Sequence, residues 1–146
     1  MTILAALNWT DDVEVLAITT MFGNAITANS TRNAHALLAW ADRPDIPVAT
    51  GAYGALQSGG IFHAVSDFVH GADGLGDIGL LDRYQALAGT YPQPAAVLIN
   101  ETLRQHPGEV TILALASLTN VALAMALNPE FNDQIGEVRE CDHHTP

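Results

Sequence analysis

The sequence predicts an α/β fold, in which a partial Rossmann-like parallel sheet is flanked by helices. Short apolar runs with β-branched residues occur at 13–20, 46–49 and 110–116, as is typical of strands that a parallel sheet buries on both faces. Segments with a helical spacing of apolar residues lie between these runs, at 27–41 and 94–105. Because strands alternate with helices, we expect parallel strands joined by right-handed crossovers.

The first predicted strand runs from Val13 to Thr20 and stops before the Gly23-Asn24 pair. In the helix predicted for 27–41, apolar side chains recur on one face after a polar first turn. Pro44 follows this helix, as expected where a helix ends.

The second predicted strand covers 46–49, and four glycines indicate a loop at 51–60. Little regular periodicity is present in 61–94. The helix predicted for 94–105 ends at His106-Pro107-Gly108, before the third strand. We expect Ser117 to be the N-cap of a last helix, from Leu118 to about Leu127.

The chain has 146 residues, enough for one domain; we expect a single α/β domain over 1–138 and an unrelated polar tail at 139–146. Apolar residues make up 49% and charged residues 14% of the chain, which argues for a packed core. The sixteen carboxylates face five arginines and no lysine, so the formal charge is −11. This charge argues against nucleic acid as a partner, since phosphate binding needs basic residues.

No apolar stretch approaches the roughly 18 to 20 residues of a membrane span. The first eight residues lack the basic start of a signal peptide. Cys141 is the single cysteine, which excludes an intramolecular disulfide and a cysteine-rich zinc site. We therefore expect no membrane partner and a cytoplasmic location.

Polar residues follow two of the predicted strands at their carboxyl ends, where parallel sheets bind ligands. Asn24 lies just past the first strand, and 117–120 lies just past the third. His70 precedes a loop with three glycines, which let backbone approach a ligand closely. These positions are candidates for a ligand site.

Three stretches in this order, 18–24, 69–76 and 118–122, resemble motifs of the nucleoside hydrolase family. Members of this family cleave the N-glycosidic bond of purine or pyrimidine ribonucleosides. The resemblance extends over 3–138 and corresponds to roughly the first half of a family member. The family opens with an aspartate cluster, Asp-x-Asp-Pro-Gly-x-Asp-Asp, and this sequence does not contain that pattern.

The resemblance implies a role for three residues. Asn24 would contact the ribose hydroxyls, and His70 would act as a catalytic residue on the side of the leaving base. The main-chain carbonyl of Leu115 would ligate calcium, but one neutral oxygen cannot hold this ion without carboxylates. Ala116-Ser117 stands where the family has a glycine-containing pair.

Each candidate also has a structural interpretation. Asn24 is typical of a turn residue that caps the next helix, and a loop histidine such as His70 is commonly a surface residue. Asp73 belongs to an Asp-Gly turn dipeptide. Thr119 and Asn120 are expected simply in the first turn of a helix.

The other histidines and one aspartate pair are assigned structural positions. We expect His35 within a helix, His63 in a loop and His106 at a helix end. Asp11-Asp12 falls before the first strand, opposite the ligand edge, and His143-His144 lies in the tail.

In the family, calcium binds the ribose 2′ and 3′ hydroxyls and a water, and an aspartate of the opening cluster takes the proton. This chain has the sugar and base contacts without those carboxylates. We therefore expect a truncated nucleoside hydrolase that is inactive alone and does not bind calcium tightly. Two alternatives stay open: a non-catalytic nucleoside- or sugar-binding module, and half of a split enzyme completed by a partner chain. A partial sheet would expose an edge strand and apolar faces, so we also expect self-association, with a homo-oligomer as one form.

Overall fold

The computed structural model describes residues 2–9, 12–56, 65–84 and 89–140. Helices and short strands alternate along these residues, which confirms the predicted α/β class. In chain order the elements are α1 (Thr2–Asn8), β1 (Ile18–Thr19), α2 (Thr27–Trp40), β2 (Val48–Ala49), α3 (Asp67–His70), α4 (Leu80–Arg83), α5 (Ala95–Gln105), β3 (Thr111–Ala114), α6 (Thr119–Leu127), α7 (Phe131–Gln134) and β4 (Glu137–Glu140).

The strands of the described residues form two parallel pairs and not one sheet. In the first pair Ile18 of β1 lies opposite Val48 of β2. In the second pair Thr111 of β3 lies opposite Glu137 of β4. The parallel direction was predicted correctly, whereas the continuous sheet expected from the sequence is divided in two.

The predicted strands are longer than the observed ones because a strand is defined by its partner. Of the run 13–20, only Ile18–Thr19 pairs, and of 46–49 only Val48–Ala49. Burial on both faces was also predicted for the first strand, yet 15–19 is half-buried. β3 is shorter than the predicted 110–116 and pairs along one edge with β4.

Helix α2 was predicted closely, since its spacing places a row of apolar residues against β2. Ala34 and Leu38 are buried there together with Ile46 and Val48. Leu7 of α1 completes this cluster, so the first residues contribute a helix that the sequence analysis did not predict.

Helix α5 packs against both strand pairs. Its residues Ala95 and Leu98 contact Ala49 of β2, while Leu103 belongs to a second cluster with Phe131 of α7. Leu103 is 0% exposed, so α5 is the apolar wall that the two pairs share.

Three local predictions need correction. Leu118, and not Ser117, is the N-cap of α6, and the Ser117 hydroxyl lies 3.2 Å from that of Thr119. Two four-residue helices, α3 and α4, interrupt the irregular stretch 61–94. Arg139 and Glu140, placed in the polar tail from their composition, continue β4, since an exposed edge strand tolerates charged side chains.

Residues 141–146 and His63 lie outside the described residues. Among the helices that are described, none combines the length and the apolar character that crossing a membrane requires.

Candidate functional site

The side chain of Asn120 joins the ends of β1 and β2. It lies in the first turn of α6 and is 6% exposed. Its Nδ2 donates to the carbonyl oxygen of Thr20 at 3.0 Å, and its Oδ1 accepts from the N–H of Ala52 at 2.9 Å. The Ser117 hydroxyl donates to Met21 Sδ at 3.7 Å. The segments that follow three strands therefore meet at one edge, as expected for parallel strands.

Gly51 provides the space for this bridge. A Cβ here would lie 2.2 Å from the carbonyl oxygen of Thr20 and 2.4 Å from both polar atoms of the Asn120 side chain. Only glycine lets backbone approach backbone this closely.

Threonine hydroxyls also attach α2 to the segments that follow β1 and β2. The hydroxyls of Thr20 and Thr31 lie 2.7 Å apart, and the Thr27 hydroxyl donates to the carbonyl oxygen of Ala52 at 2.8 Å. Because a buried hydroxyl must be hydrogen-bonded, these contacts hold α2 in one position relative to β1.

Backbone contacts link the segments that carry Asn24 and His70. The N–H of Ser66 donates to the carbonyl oxygen of Asn24 at 3.2 Å, and the N–H of His70 donates to that of Ser66 at 2.9 Å. Asn24 is exposed, and His70, the last residue of α3, is half-buried. Ile26 is the N-cap of α2, so the interpretation of Asn24 as the cap of this helix is wrong.

Two asparagines of α2 hold the glycine loop 71–77. Asn29 donates to the carbonyl oxygen of Ala72 at 2.9 Å, and Asn33 donates to that of Asp73 at 2.8 Å. Gly74 has a φ of +79°, and a Cβ on it would lie 2.7 Å from that of Ala25. The loop is therefore placed by α2 as well as by its own turns.

Asp73 and Asp77 close the loop reciprocally. Asp73 Oδ1 accepts from the N–H of Leu75 at 2.7 Å and of Asp77 at 3.0 Å, while the Asp77 carboxylate accepts from the N–H of Ala72 and of Asp73, each at 3.2 Å. The N–H groups of Leu75 and then Asp77 hold the pKa of Asp73 below its usual value. The turn interpretation of Asp73 is therefore confirmed.

We expect the loop to loosen in acid. A carboxyl whose pKa is lower in the folded state stabilises that state above its unfolded pKa, and this contribution is lost as the pH falls through the folded pKa. Amide exchange of Leu75 and Asp77, measured by NMR from pH 6 downwards, should accelerate below about pH 4 beyond the intrinsic dependence. Asp73→Asn should remove that extra acceleration; an unchanged profile would contradict the assignment.

Leu115 directly follows β3 and is exposed. The carbonyl oxygen of Val110 accepts from the N–H of Glu137 at 3.2 Å. The main-chain N–H and C=O groups of Val110 and of every second residue after it therefore face β4. The main-chain groups of Thr111 and Leu113 face the opposite edge of β3. Leu115 is the next residue in this alternation, so its carbonyl is expected on the same side.

The described residues do not fit a calcium ion by themselves. In 2–9, 12–56, 65–84 and 89–140, no group of three or more His, Cys, Asp or Glu side chains could hold a metal ion. Calcium takes about six to eight oxygen ligands, with carboxylates among them. Asp73 and Asp77 already accept backbone N–H groups, and the carbonyl of Leu115 is a single neutral oxygen.

The remaining titratable candidates have structural positions where they are described. His35 is buried in α2 with Nε2 3.2 Å from the Thr90 hydroxyl, and burial lowers its pKa. His106 is the C-cap of α5, as predicted. Asp12 is exposed and accepts from Trp9 Nε1 at 3.1 Å. Asp11, Cys141, His143 and His144 lie outside the described residues.

Sequence reasoning missed the residues that hold the candidate site together. Asn29 and Asn33 are four apart on one helix face, a spacing that signals a shared contact. Asn120 was assigned to an ordinary first turn, and Gly51 to a loop. No local pattern indicates that these two residues meet.

The sequence matches the family described as inosine-uridine preferring nucleoside hydrolase over residues 1–139. Uridine nucleosidase 1 of Arabidopsis thaliana is 41% identical over 138 residues, which cover 94% of this chain and 39% of that protein. The pyrimidine-specific ribonucleoside hydrolase RihA of Klebsiella pneumoniae is 36% identical over 129 residues, covering 87% of this chain and 39% of that protein. The chain thus spans well under half the length of these curated relatives.

Solved structures show the same fold. The plant nucleoside hydrolase PpNRh1 superimposes with a TM-score of 0.75 at 37% identity, over 88% of this chain and 39% of that one. A purine-preferring ribonucleoside hydrolase from Gardnerella vaginalis superimposes with a TM-score of 0.81 at 23% identity, over 95% of this chain and 44% of that one. With a family match over residues 1–139 and these folds in agreement, the chain belongs to the inosine-uridine preferring nucleoside hydrolase family.

Proposed function

We propose that this chain forms part of a ribonucleoside N-ribohydrolase, which cleaves the N-glycosidic bond of purine or pyrimidine ribonucleosides. Membership of the nucleoside hydrolase family over residues 1–139 carries the proposal. The contact of Asn24 with Ser66, one helical turn before His70, supports it, because it holds both candidate residues in neighbouring segments.

The two side chains suit complementary tasks. The amide of Asn24 can donate to one ribose hydroxyl and accept from another. The imidazolium form of His70 can give a proton to the departing base, which takes the electron pair of the broken bond, while water adds to the sugar carbon and loses a proton to solvent. We assign Asn24 to sugar binding and His70 to the base side.

We further propose that the 146 residues alone neither hydrolyse nucleosides nor bind calcium tightly. The described residues hold no carboxylate cluster that could activate the water or complete the shell of an ion contacted by the Leu115 carbonyl. Purified chain with calcium chloride should release no base from uridine or inosine above background. Robust turnover would contradict this proposal, and saturable uridine binding without calcium would favour a non-catalytic binding module instead.

A chimera tests the active function. We would replace the matching 39% of Arabidopsis uridine nucleosidase 1 by this chain and measure uridine hydrolysis. His70→Ala in the chimera should lower kcat by about 10² to 10⁴, the usual contribution of a general acid. Asn24→Ala should lower kcat/KM by roughly 10 to 100-fold, because a hydrogen bond to the sugar is lost.

Asn8→Ala is the matched control, since Asn8 is exposed in α1 and its side chain donates to the carbonyl of Leu4 in the same helix. It should leave the rate unchanged. A folded but inactive chimera would contradict the assignment of this chain to the hydrolase site. A partner chain that restores activity when mixed with the free chain would instead identify a split enzyme.

We propose a cytoplasmic location, supported by the single cysteine, and a small ribonucleoside as the ligand.

A further inference from the structure

Asn33 is a buried amide of α2 whose oxygen atom is left unpaired. The side chain is 8% exposed, and its Nδ2 donates to the carbonyl oxygen of Asp73 at 2.8 Å. Within residues 2–9, 12–56, 65–84 and 89–140, its Oδ1 is the single buried side-chain nitrogen or oxygen atom without a hydrogen bond. Such an atom needs an explanation, because buried polar side-chain atoms are nearly always paired.

The stability of α2 does not explain an amide at this position. An unpaired buried acceptor costs at least as much free energy as one net hydrogen bond contributes. Ala34 and Leu38 of the same helix pack in an apolar cluster, and a leucine at position 33 would avoid the unpaired acceptor. The reason for the amide must therefore lie in the group that its Nδ2 holds.

The carbonyl that Asn33 holds belongs to the glycine loop 71–77, and this loop closes on His70. The N–H of Gly76 donates to the carbonyl oxygen of His70 at 2.6 Å. The loop and the backbone of His70 are thus joined by a hydrogen bond, so a displacement of the loop also displaces His70.

Helix α2 also places the segment that carries Asn24. Asn24 lies two residues before Ile26, the N-cap of α2. Ala25, between them, is so close to the loop that a Cβ on Gly74 would lie 2.7 Å from its own Cβ. Asn33 follows about two helical turns after this N-cap. One helix therefore carries the sugar-side candidate just before its first residue and the amide that holds the base-side loop.

Asn29 makes a second contact between α2 and the loop, but a weaker one. It donates to the carbonyl oxygen of Ala72 at 2.9 Å in an exposed position, where water competes for both groups. The bond from Asn33 is partly buried, and a hydrogen bond shielded from water is electrostatically stronger. Asn33 is therefore the main connection from α2 to the loop.

We propose that Asn33 is a positioning residue for His70. Through the carbonyl of Asp73, its amide fixes the glycine loop on α2 and so sets where the imidazole lies relative to Asn24. In this role Asn33 contacts neither the sugar nor the base and acts only through His70. The inference rests on the proposed function, because it assumes that His70 gives a proton to the leaving base.

The test introduces Asn33→Leu into the chimera that hydrolyses uridine. Leucine removes the donor together with the unpaired acceptor, so we expect the chimera to stay folded. The kcat for uridine should fall by about 10 to 100-fold, the effect of misplacing a catalytic group by about 1 Å. The KM should change little, because Asn24 stays in place.

Two further variants accompany this substitution. Asn33→Ala removes the same donor without filling its space, and it should lower kcat in the same way if leucine disturbs the packing of α2. Asn8→Leu is the matched control, because it makes the same replacement at an exposed amide of α1. It should leave both kcat and KM unchanged.

A second substrate separates the positioning of His70 from a general structural effect. 4-Nitrophenyl β-D-ribofuranoside releases 4-nitrophenolate, a stable anion that leaves without a proton from the enzyme. The kcat for this substrate should stay close to the parent value in Asn33→Leu, as in His70→Ala. The double variant should hydrolyse uridine no more slowly than His70→Ala alone, because both substitutions remove the same effect.

Three results would overturn the inference. One is an unchanged kcat for uridine in both Asn33 variants. Another is an equal loss with both substrates, including any loss caused by unfolding, which would make Asn33 a structural residue only. The third is a further loss in the double variant. Failure of the proposed function would look different, since the parent chimera would then be inactive or His70→Ala would leave its kcat for uridine unchanged.

Discussion

Gly51→Ala is expected to destabilise the fold by roughly 3 kcal/mol, the upper range for forcing an extra methyl group into a packed interior. The new Cβ would lie 2.2 Å from the Thr20 carbonyl oxygen, and the Asn120 side chain would sit 2.4 Å away. The Thr20 backbone cannot move aside as the end of a flexible side chain can, so the ends of β1 and β2 must move apart. Urea unfolding followed by circular dichroism measures the loss.

Gly89→Ala is the matched control for this substitution. Among the described residues, a Cβ at Gly89 meets nothing within 4 Å, and its φ is not in the left-handed region, so stability should change little. A loss at Gly51 as small as that at Gly89 would show that the ends of β1 and β2 can separate without cost.

Asn120→Leu is expected to destabilise the fold by roughly 2 to 6 kcal/mol. The two side chains have similar size, so the effect isolates the hydrogen bonds at 3.0 Å to Thr20 and at 2.9 Å from Ala52. The substitution leaves one buried carbonyl and one N–H without their partner, at about 1 to 3 kcal/mol each. Thermal or urea unfolding of the purified variant gives the free-energy change.

Asn8→Leu provides the comparison for an exposed amide, because Asn8 Nδ2 donates to the carbonyl of Leu4 within α1. Its effect should stay within about 0.5 kcal/mol, as for most surface positions. If Asn120→Leu were equally mild, the bridge would not be what holds the two segments together.

Elements with local periodicity could be predicted from the sequence, because a helix forms its hydrogen bonds within itself. The predicted limits of α2 and α5 lie within one residue of those observed. The limits of β1 could not be predicted, since they depend on its pairing with β2, thirty residues away along the chain. Helix α1 was missed because seven residues are too few to show periodicity.

The candidate residues also differ in whether a local pattern in the sequence indicates them. Asn24, His70 and Leu115 were found from short motifs, and their roles remain predictions. The carboxylates of Asp73 and Asp77 act within the loop that holds them, so an Asp-Gly pair was enough to indicate a turn. Asn120, by contrast, contacts residues 100 and 68 positions away, and nothing local distinguishes it from a helix-turn residue.

The α/β class, the positions of α2, α5 and α6 and the family resemblance could be read from the sequence, because apolar spacing and short motifs are local properties of the chain. The need for a glycine at position 51 and the joining of two strands by an amide of α6 became visible in the folded chain. The tertiary structure also decided that the described strands form two pairs. The physical reason is that strand pairing and buried hydrogen bonds join residues far apart in the chain, and their geometry exists only once the helices have packed.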